Sequence, residues 1–174
     1  MPPPGPTVDQ VHEPGNVGFN VFVNSALAQT FTVGMTGTLD SVDLLLQTQS
    51  SASDHMIRID IRGTTGGSPN LDDGAVLGSR LVTATSLPVS PSQAFVTIDF
   101  RGEGIPVIAG QTLAIVLMYV SGNSAAGVVW LGESASVEEY VGGAPFFRLG
   151  GSGTAWNVSN PDSDQYFRTR VLTP

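Results

Sequence analysis

The sequence predicts an all-β fold, a sandwich or barrel of roughly nine to eleven short strands with at most one short helix. Apolar and polar residues alternate with a period of two along several segments, as strands with one buried face require. Turn-forming pieces rich in Gly, Pro, Ser and Thr separate these segments. No segment keeps a 3.6-residue period long enough for an ordinary helix, and residues 134–140 have room for a couple of turns at most.

The chain opens with a Pro-rich segment, residues 1–8, which favours extended polyproline II structure and is expected to be a tether or an added remnant. Residues 9–174 are predicted to form one domain, because 174 residues is close to the usual length of a single domain. Residues 11–26 form an Asn- and aromatic-containing lead-in to which the alternation assigns no strand.

The clearest alternation lies at residues 55–62, where His55 shares one face with three isoleucines. Residues 42–47 and 96–101 alternate in the same way, so each of these segments predicts a half-buried strand. Residues 113–120 are apolar on both faces, which predicts a strand in the middle of a sheet or in a subunit contact. Further strands are predicted at residues 27–33, 76–85, 128–132, 144–149 and 166–172.

Composition excludes several classes of function. Seven basic against fifteen acidic residues give a net charge of −8, so the surface repels nucleic acid and anionic lipid, and neither is an expected partner. The absence of Cys excludes disulfides, thiolate metal sites and cysteine nucleophiles. No apolar run approaches the roughly 18 residues of a membrane span, and the N-terminus lacks a signal-peptide pattern. An extracellular or cell-surface location is expected, with the virion as the alternative.

Several strand-and-turn motifs follow one another along the chain: LAQTFTVG at 27–34, GTLDSVDLLL at 37–46 and VIAGQTLAIVL at 107–117. The last third adds Trp130, YVGG at 140–143, Trp156 and DQYFRT at 164–169. Together these motifs resemble the jelly-roll-like β-sandwich modules of bacterial secreted and cell-surface proteins, which also occur in phage fibres and are similar to carbohydrate-binding modules. The resemblance implies an antiparallel jelly-roll-like sandwich and a non-catalytic role in attachment to carbohydrate or another surface.

The residues that most enzymes use are scarce. Nucleophilic catalysis by Ser or Thr needs a base, and the two histidines are His12 in the lead-in and His55 on an otherwise isoleucine-lined face, where a structural role is expected. The sequence contains no G-x-S-x-G elbow and no H-E-x-x-H zinc motif. The chain is therefore predicted not to be an enzyme, and to need no cofactor.

Paired carboxylates for glycoside hydrolysis are the remaining catalytic alternative, which we rank last. Arginines close in sequence to the strand-borne aspartates predict instead a solvated ladder of cross-strand ion pairs, with partners at Arg58, Arg62 and Arg101. The carboxylates in question are Asp43, Asp60, Asp99, Glu103, Glu133, Glu138 and Glu139.

Calcium is the ion that the sequence favours, as a structural ion in a loop. Asn160, Asp162 and Asp164 place oxygen ligands at i, i+2 and i+4, although the glycine and distal Glu of an EF-hand loop are missing. An acidic turn that leads into the last strand is the interpretation that we prefer for these residues.

Carbohydrate binding would use flat aromatic rings for stacking and polar side chains for the sugar hydroxyls. The alternative for the two tryptophans is a place in the core, with the indole N–H bonded to backbone. The candidate residues are Trp130, Tyr140, Trp156 and Tyr166, with Asn157 and Arg168 as polar partners.

Two functions follow from these observations. The first is a non-catalytic module that attaches a secreted or surface protein to a glycan or another extracellular surface. The second is a structural assembly subunit, such as a virion decoration, fibre or extracellular filament component, in which the Pro-rich N-terminus and the doubly apolar strand make subunit contacts.

Overall fold

The computed structural model describes residues 5–13, 17–49, 54–71, 73–122, 127–133, 140–150, 153–159 and 163–174. Two antiparallel sheets pack face to face as a β-sandwich, an architecture compatible with a jelly-roll-like module. Short 3-10 helices at Asp73–Ala75, Ala84–Ser86 and Arg101–Glu103 lie between strands.

The first sheet is built around the long strand β4. Its order is β1 (Thr7–His12), β14 (Phe167–Leu172), β4 (Gly37–Thr48), β11 (Val128–Gly132) and β2 (Val17–Val21). Strands β8 (Ala94–Asp99) and β9 (Pro106–Val107) also pair with β4. Because β1 pairs with β14, the two ends of the described chain lie side by side in this sheet.

The second sheet is built around β10. Its order is β13 (Asn157–Val158), β12 (Pro145–Leu149), β3 (Ser25–Thr32), β10 (Thr112–Ser121), β5 (Met56–Thr65) and β6 (Ser68–Pro69), and β7 (Val76–Thr83) pairs with β5. The doubly apolar segment is thus the middle strand of its sheet, as predicted, because β10 pairs with both β3 and β5.

The core lies between the sheets and is formed by the alternate residues that the period of two assigns to one face. Ile57, Ile59 and Ile61 of β5 are fully buried there. His55, at the start of the same face, is buried, and its ring meets the Tyr119 ring edge to face at 5.6 Å. Burial of many β-branched and leucine side chains supplies the main stabilisation of such a fold. The opposing face contributes Leu39, Val42, Leu44, Leu46, Trp130 and Phe167.

The predicted fold class is confirmed, and each strand predicted from alternation is present within a few residues of its predicted bounds. The described residues contain fourteen strands, more than the nine to eleven predicted. The surplus includes β1 and β2, where the lead-in has no regular alternation, and two-residue strands too short to show a period. Strand β1 begins at Thr7, inside the segment assigned to a tether. The helix considered at 134–140 falls almost entirely outside the described residues.

Within the described residues, no helix has the length and apolarity needed to cross a membrane.

Two of the strand aspartates, Asp60 and Asp99, have arginine partners that the sequence predicts, whereas Asp43 pairs with Arg170, which was not among them. Asp60 accepts hydrogen bonds from Arg58 and Arg62, and Asp99 pairs with Arg101. The solvated character predicted for this ladder holds for Asp99 only, because Asp60 and Asp43 are buried. Their outward faces are screened by neighbouring side chains, which alternation within one strand does not reveal. Glu103 pairs with Arg80 in the same way.

Candidate functional site

An open groove of about 620 Å³ lies over the outer face of the second sheet, and we call it the Trp156 groove. One wall comes from the hairpin between β5 and β6 and the residues after it, and the other from Ala155 and Trp156. Its volume falls within the range of small-molecule sites. The groove is lined by Thr65, Ser68, Pro69, Asn70, Leu71, Ala75, Ala155 and Trp156.

The hairpin that forms one wall closes through two glycines. Gly66 and Gly67 have φ of 61° and 83°, the left-handed values that a type I′ turn needs at both central positions. The turn brings Thr65 opposite Ser68 across the ladder. As a result, two hydroxyl side chains lie next to each other at the rim of the groove.

Asn70 is held in place by a buried ion pair beneath the groove. Arg62 donates through Nε and Nη2 to Asp60 Oδ2 at 3.1 and 2.7 Å, and through Nη1 to the Asn70 carbonyl at 3.3 Å. The Asn70 amide N–H donates to the Gly63 carbonyl at 3.0 Å. Thr65 Oγ1 donates to Asn70 Oδ1 at 2.6 Å. These bonds fix the backbone of Asn70 and the position of its side-chain oxygen beside the groove.

Trp156 is anchored on the opposite wall. Its indole packs against an apolar cluster on the outer face of the second sheet, which includes Ala28, Val116 and Phe146. The Arg148 guanidinium lies 4.8 Å from the centre of the ring, a cation–π distance. The side chain is half-buried, so part of the indole borders the groove.

The described residues that line the groove are all uncharged. Hydroxyl and amide groups come from the hairpin wall, and apolar surface comes from Trp156, Pro69 and Leu71. An aromatic surface beside neutral donors and acceptors matches a neutral ligand with both C–H faces and hydroxyls. The described lining residues offer no counter-charge for an ionic ligand.

Three of the aromatic residues predicted to stack on sugars are buried instead. Trp130 is fully buried, and its Nε1 donates to the Tyr166 carbonyl at 2.9 Å, the core arrangement given above as the alternative. Tyr140 and Tyr166 are also buried. Because none of these rings exposes a face, we assign no stacking role to them.

The two predicted polar partners lie far apart. Asn157 is exposed in β13, next to Trp156 along the chain. Arg168 belongs to the first sheet, where its guanidinium lies 3.9 Å from the Phe95 ring centre and pairs with Glu13. Trp156 and Asn157 therefore lie near one surface of the second sheet, whereas Arg168 lies on the first sheet.

A second concentration of polar groups lies inside the sandwich, and we call it the end cluster: His12, Glu133 and Asp164. All three are buried, and a ligand-type atom of each lies within 4.8 Å of the others. His12 Nε2 is 3.2 Å from Glu133 Oε1. Asp164, predicted as a calcium ligand, thus belongs to this cluster, while Asn160 and Asp162 lie outside the described residues.

The two tyrosines beside the end cluster are held in the neutral form. Burial raises the pKa of Tyr166 to about 12, and the negative charge of Glu133 adds to this effect. Burial also raises the pKa of Tyr140 to about 12. Their rings lie 5.4 and 5.7 Å from the His12 ring.

Sequence reasoning missed the polar wall of the Trp156 groove. The segment TGGSP at 65–69 predicts a turn, and a two-glycine hairpin flanked by Thr and Ser also displays two hydroxyls. It also missed the end cluster, whose members are more than 30 residues apart along the chain. No local spacing signals a cluster of that kind.

No protein-family model matches the chain, and no curated protein sequence matches it.

Proposed function

We propose that this chain is a non-catalytic attachment module of a secreted or cell-surface protein, and that it holds a neutral polyhydroxylated polymer, a carbohydrate, in the Trp156 groove. The observation that carries the proposal is the pairing of an anchored indole with the uncharged hydroxyls and amide of Thr65, Ser68 and Asn70. Stacking on the indole and hydrogen bonds to this wall are the two interactions that a sugar ring offers.

The two walls of the groove are held by contacts beneath them, as expected of a preformed binding site. Asn70 rests on the Asp60–Arg62 pair, and Trp156 rests on Arg148 and the apolar cluster below it. A groove that is already formed loses little conformational entropy when a ligand binds. Among the described residues that line the groove, none is a carboxylate, so none of them can act as the acid or base of a hydrolysis there.

The test is retention on polysaccharides. We expect the native chain to be retarded in gels that contain at least one polysaccharide, and Trp156→Ala to bind that polysaccharide about tenfold more weakly, a change of about 1.4 kcal/mol. Phe22→Ala is the matched control, because Phe22 is an aromatic side chain 46 % exposed that lies outside the groove. Its retention should equal that of the native chain.

Ser68→Ala separates loss of binding from loss of folding, because it removes one hydroxyl at the rim and leaves the indole and its packing intact. Weaker retention with an unchanged melting temperature supports the proposal. A native chain that binds nothing on a broad glycan array, or a Trp156→Ala variant that binds as tightly as the native chain, would overturn it.

The second candidate function is assembly with copies of the same chain. Strand β7 pairs with β5 only, and no other described strand covers its far edge. It carries Leu77 and Leu81, which are 40 % and 61 % exposed. An edge strand with exposed leucines favours strand-to-strand association.

Light scattering on the native chain and on Leu81→Lys tests this second function. Assembly predicts that the mass of the native chain rises with concentration and that the variant has a lower mass. A native chain that is a monomer at all concentrations contradicts it.

A further inference from the structure

The end cluster has the donor set of a metal site. His12 ends β1, Glu133 directly follows β11, and Asp164 comes shortly before β14. The Glu133 amide N–H donates to the Asp164 carbonyl at 3.0 Å, so the backbone fixes these two residues against each other. The exposed fractions of His12, Glu133 and Asp164 are 7, 5 and 0 %.

The charges of the cluster do not balance. Two buried carboxylates face one imidazole, and within the described part of the chain neither carboxylate contacts an arginine. Buried charges are normally paired or bound to a metal, because removal from water is costly. A divalent cation supplies the missing positive charge.

Two hydrogen bonds fix the orientation of the Asp164 carboxylate. Its Oδ1 accepts from Gln29 Nε2 at 2.8 Å and its Oδ2 from the Tyr140 amide N–H at 2.9 Å. Each oxygen keeps a further lone pair, so both remain able to bind an ion. Hydrogen bonds of this kind orient metal ligands in known sites.

Two buried polar atoms beside these carboxylates have no hydrogen-bond partner among the described residues. One is His12 Nε2, for which Glu133 Oε1 lies 3.2 Å away but outside hydrogen-bond geometry. The other is the hydroxyl of Tyr166, whose ring packs against His12. Buried polar atoms are rarely left without a partner, and a neutral imidazole nitrogen is the commonest metal ligand in proteins.

We infer that His12 Nε2, Glu133 and Asp164 bind a divalent first-row transition metal of the zinc class. An imidazole nitrogen with carboxylate oxygens favours such a metal over calcium, which takes six to eight oxygens. The 3.2 Å separation of His12 Nε2 and Glu133 Oε1 is close to the edge of a tetrahedron with metal–ligand bonds of about 2.0–2.1 Å. The metal joins β1 to the chain next to β11 and β14.

The first measurement is zinc titration of the native full-length chain, prepared free of metal, by calorimetry. We expect one zinc ion per chain. Because zinc binds the folded state, zinc at about 100 times its dissociation constant should raise the melting temperature by about 5 to 10 °C. Cobalt(II) in place of zinc should give the visible absorption of a low-coordinate site with nitrogen and oxygen ligands. A native chain that binds neither ion overturns the inference.

Variants identify the ligands. His12→Gln and Glu133→Gln should each weaken zinc binding at least about tenfold, while circular dichroism without metal verifies that each variant folds. Asp99→Asn is the matched control, because it removes an exposed carboxylate far along the chain from the cluster and should leave zinc affinity unchanged. Zinc affinity that survives both ligand variants indicates adventitious binding at acidic surface groups and overturns the site. Saturation by calcium in preference to zinc also overturns it.

Discussion

The outer faces of the two sheets carry the same chemical group in two different settings. On the second sheet, Asp60 and Arg62 are 0 and 1 % exposed, and Asp60 also accepts a hydrogen bond from Ser79 at 2.8 Å. On the first sheet, Asp43 accepts from Thr97 and Arg170 at 2.7 and 2.6 Å, but the Arg170 side chain is 33 % exposed. Both are carboxylate–arginine pairs on strands, and only one has lost contact with water.

What covers each face explains the difference. The Asn70 carbonyl reaches Arg62, and Trp156 packs on the apolar cluster of the same face. No comparable pair of walls is described over Asp43. The cost of removing one member of an ion pair depends on whether water can replace it. On the outer face of the second sheet, the Asp60–Arg62 pair therefore contributes both to the stability of the fold and to the shape of the Trp156 groove. The Asp43–Arg170 pair on the first sheet contributes to stability alone.

The largest expected effect is at Asp60. Asp60→Asn removes the buried carboxylate that accepts two hydrogen bonds from the Arg62 guanidinium, and we expect a loss of about 3 to 5 kcal/mol in the free energy of unfolding. The midpoint of urea unfolding measures it. A loss no greater than that of Asp43→Asn would show that water reaches the Asp60 pair and would remove the contrast between the two faces.

Replacement of the whole pair sharpens the comparison. The double variant Asp60→Leu/Arg62→Met removes both charges together, so the Arg62 guanidinium is not left buried without the Asp60 carboxylate, and the variant should be more stable than Asp60→Asn by about 2 kcal/mol or more. It also removes the hydrogen bond from Arg62 to the Asn70 carbonyl, so polysaccharide retention should fall even though the fold persists. Urea unfolding and affinity gels on the same sample separate the two effects. A double variant less stable than Asp60→Asn contradicts the first expectation.

A smaller effect is expected at Asp43. Asp43→Asn keeps an acceptor for Thr97, and the half-buried Arg170 can turn to solvent, so the free energy of unfolding should fall by about 1 kcal/mol or less. The same urea titration measures it. A loss of several kcal/mol would mean that the first sheet is as closed as the second.

The smallest effect is at Asp99, which is exposed. The hydrogen bond from the Arg101 side chain lowers the pKa of Asp99 to about 2, from an ordinary value of 3.8. Because the pKa of Asp99 is lower in the folded state than in the unfolded state, the ionised Asp99 stabilises the folded state above about pH 4. This stabilisation is lost as the pH falls towards 2. The small difference in melting temperature between the native chain and Asp99→Asn should therefore vanish across that interval. A difference that stays constant from pH 6 to pH 2.5 contradicts this assignment.

The sequence predicts the strands of this molecule well and its candidate sites poorly. Alternation located the strands of both sheets because burial of one face imposes a period that can be counted locally. Spacing also paired Asp60 with Arg58 and Arg62, since residues two apart on a strand share a face. Burial of the same Asp60 was not predictable from alternation within β5, because the Ser79 hydroxyl that donates to it and the Asn70 carbonyl that accepts from Arg62 come from other segments of the chain.

The two tryptophans also show that burial cannot be predicted from neighbours along the chain. Both Trp130 and Trp156 follow small or apolar residues in the last third of the sequence, and the sequence assigned them the same two alternatives. The strand neighbours of Trp130 bury it between the sheets, whereas Trp156 lies just before a two-residue edge strand and covers the outside of the second sheet. Position in the sheet order decides between the alternatives, and sheet order is a long-range property.

The separation of these two indoles gives the chain two optical reporters in different surroundings. Trp130, enclosed in the core, will emit at shorter wavelength and follow the collapse of the sandwich. Trp156, half-buried beside the Arg148 guanidinium, will emit separately and respond when its groove is filled. In the Trp156→Phe variant, the remaining tryptophan fluorescence comes from Trp130 and reports folding alone. The difference between the native and variant spectra reports whether the groove is occupied, without any attached dye.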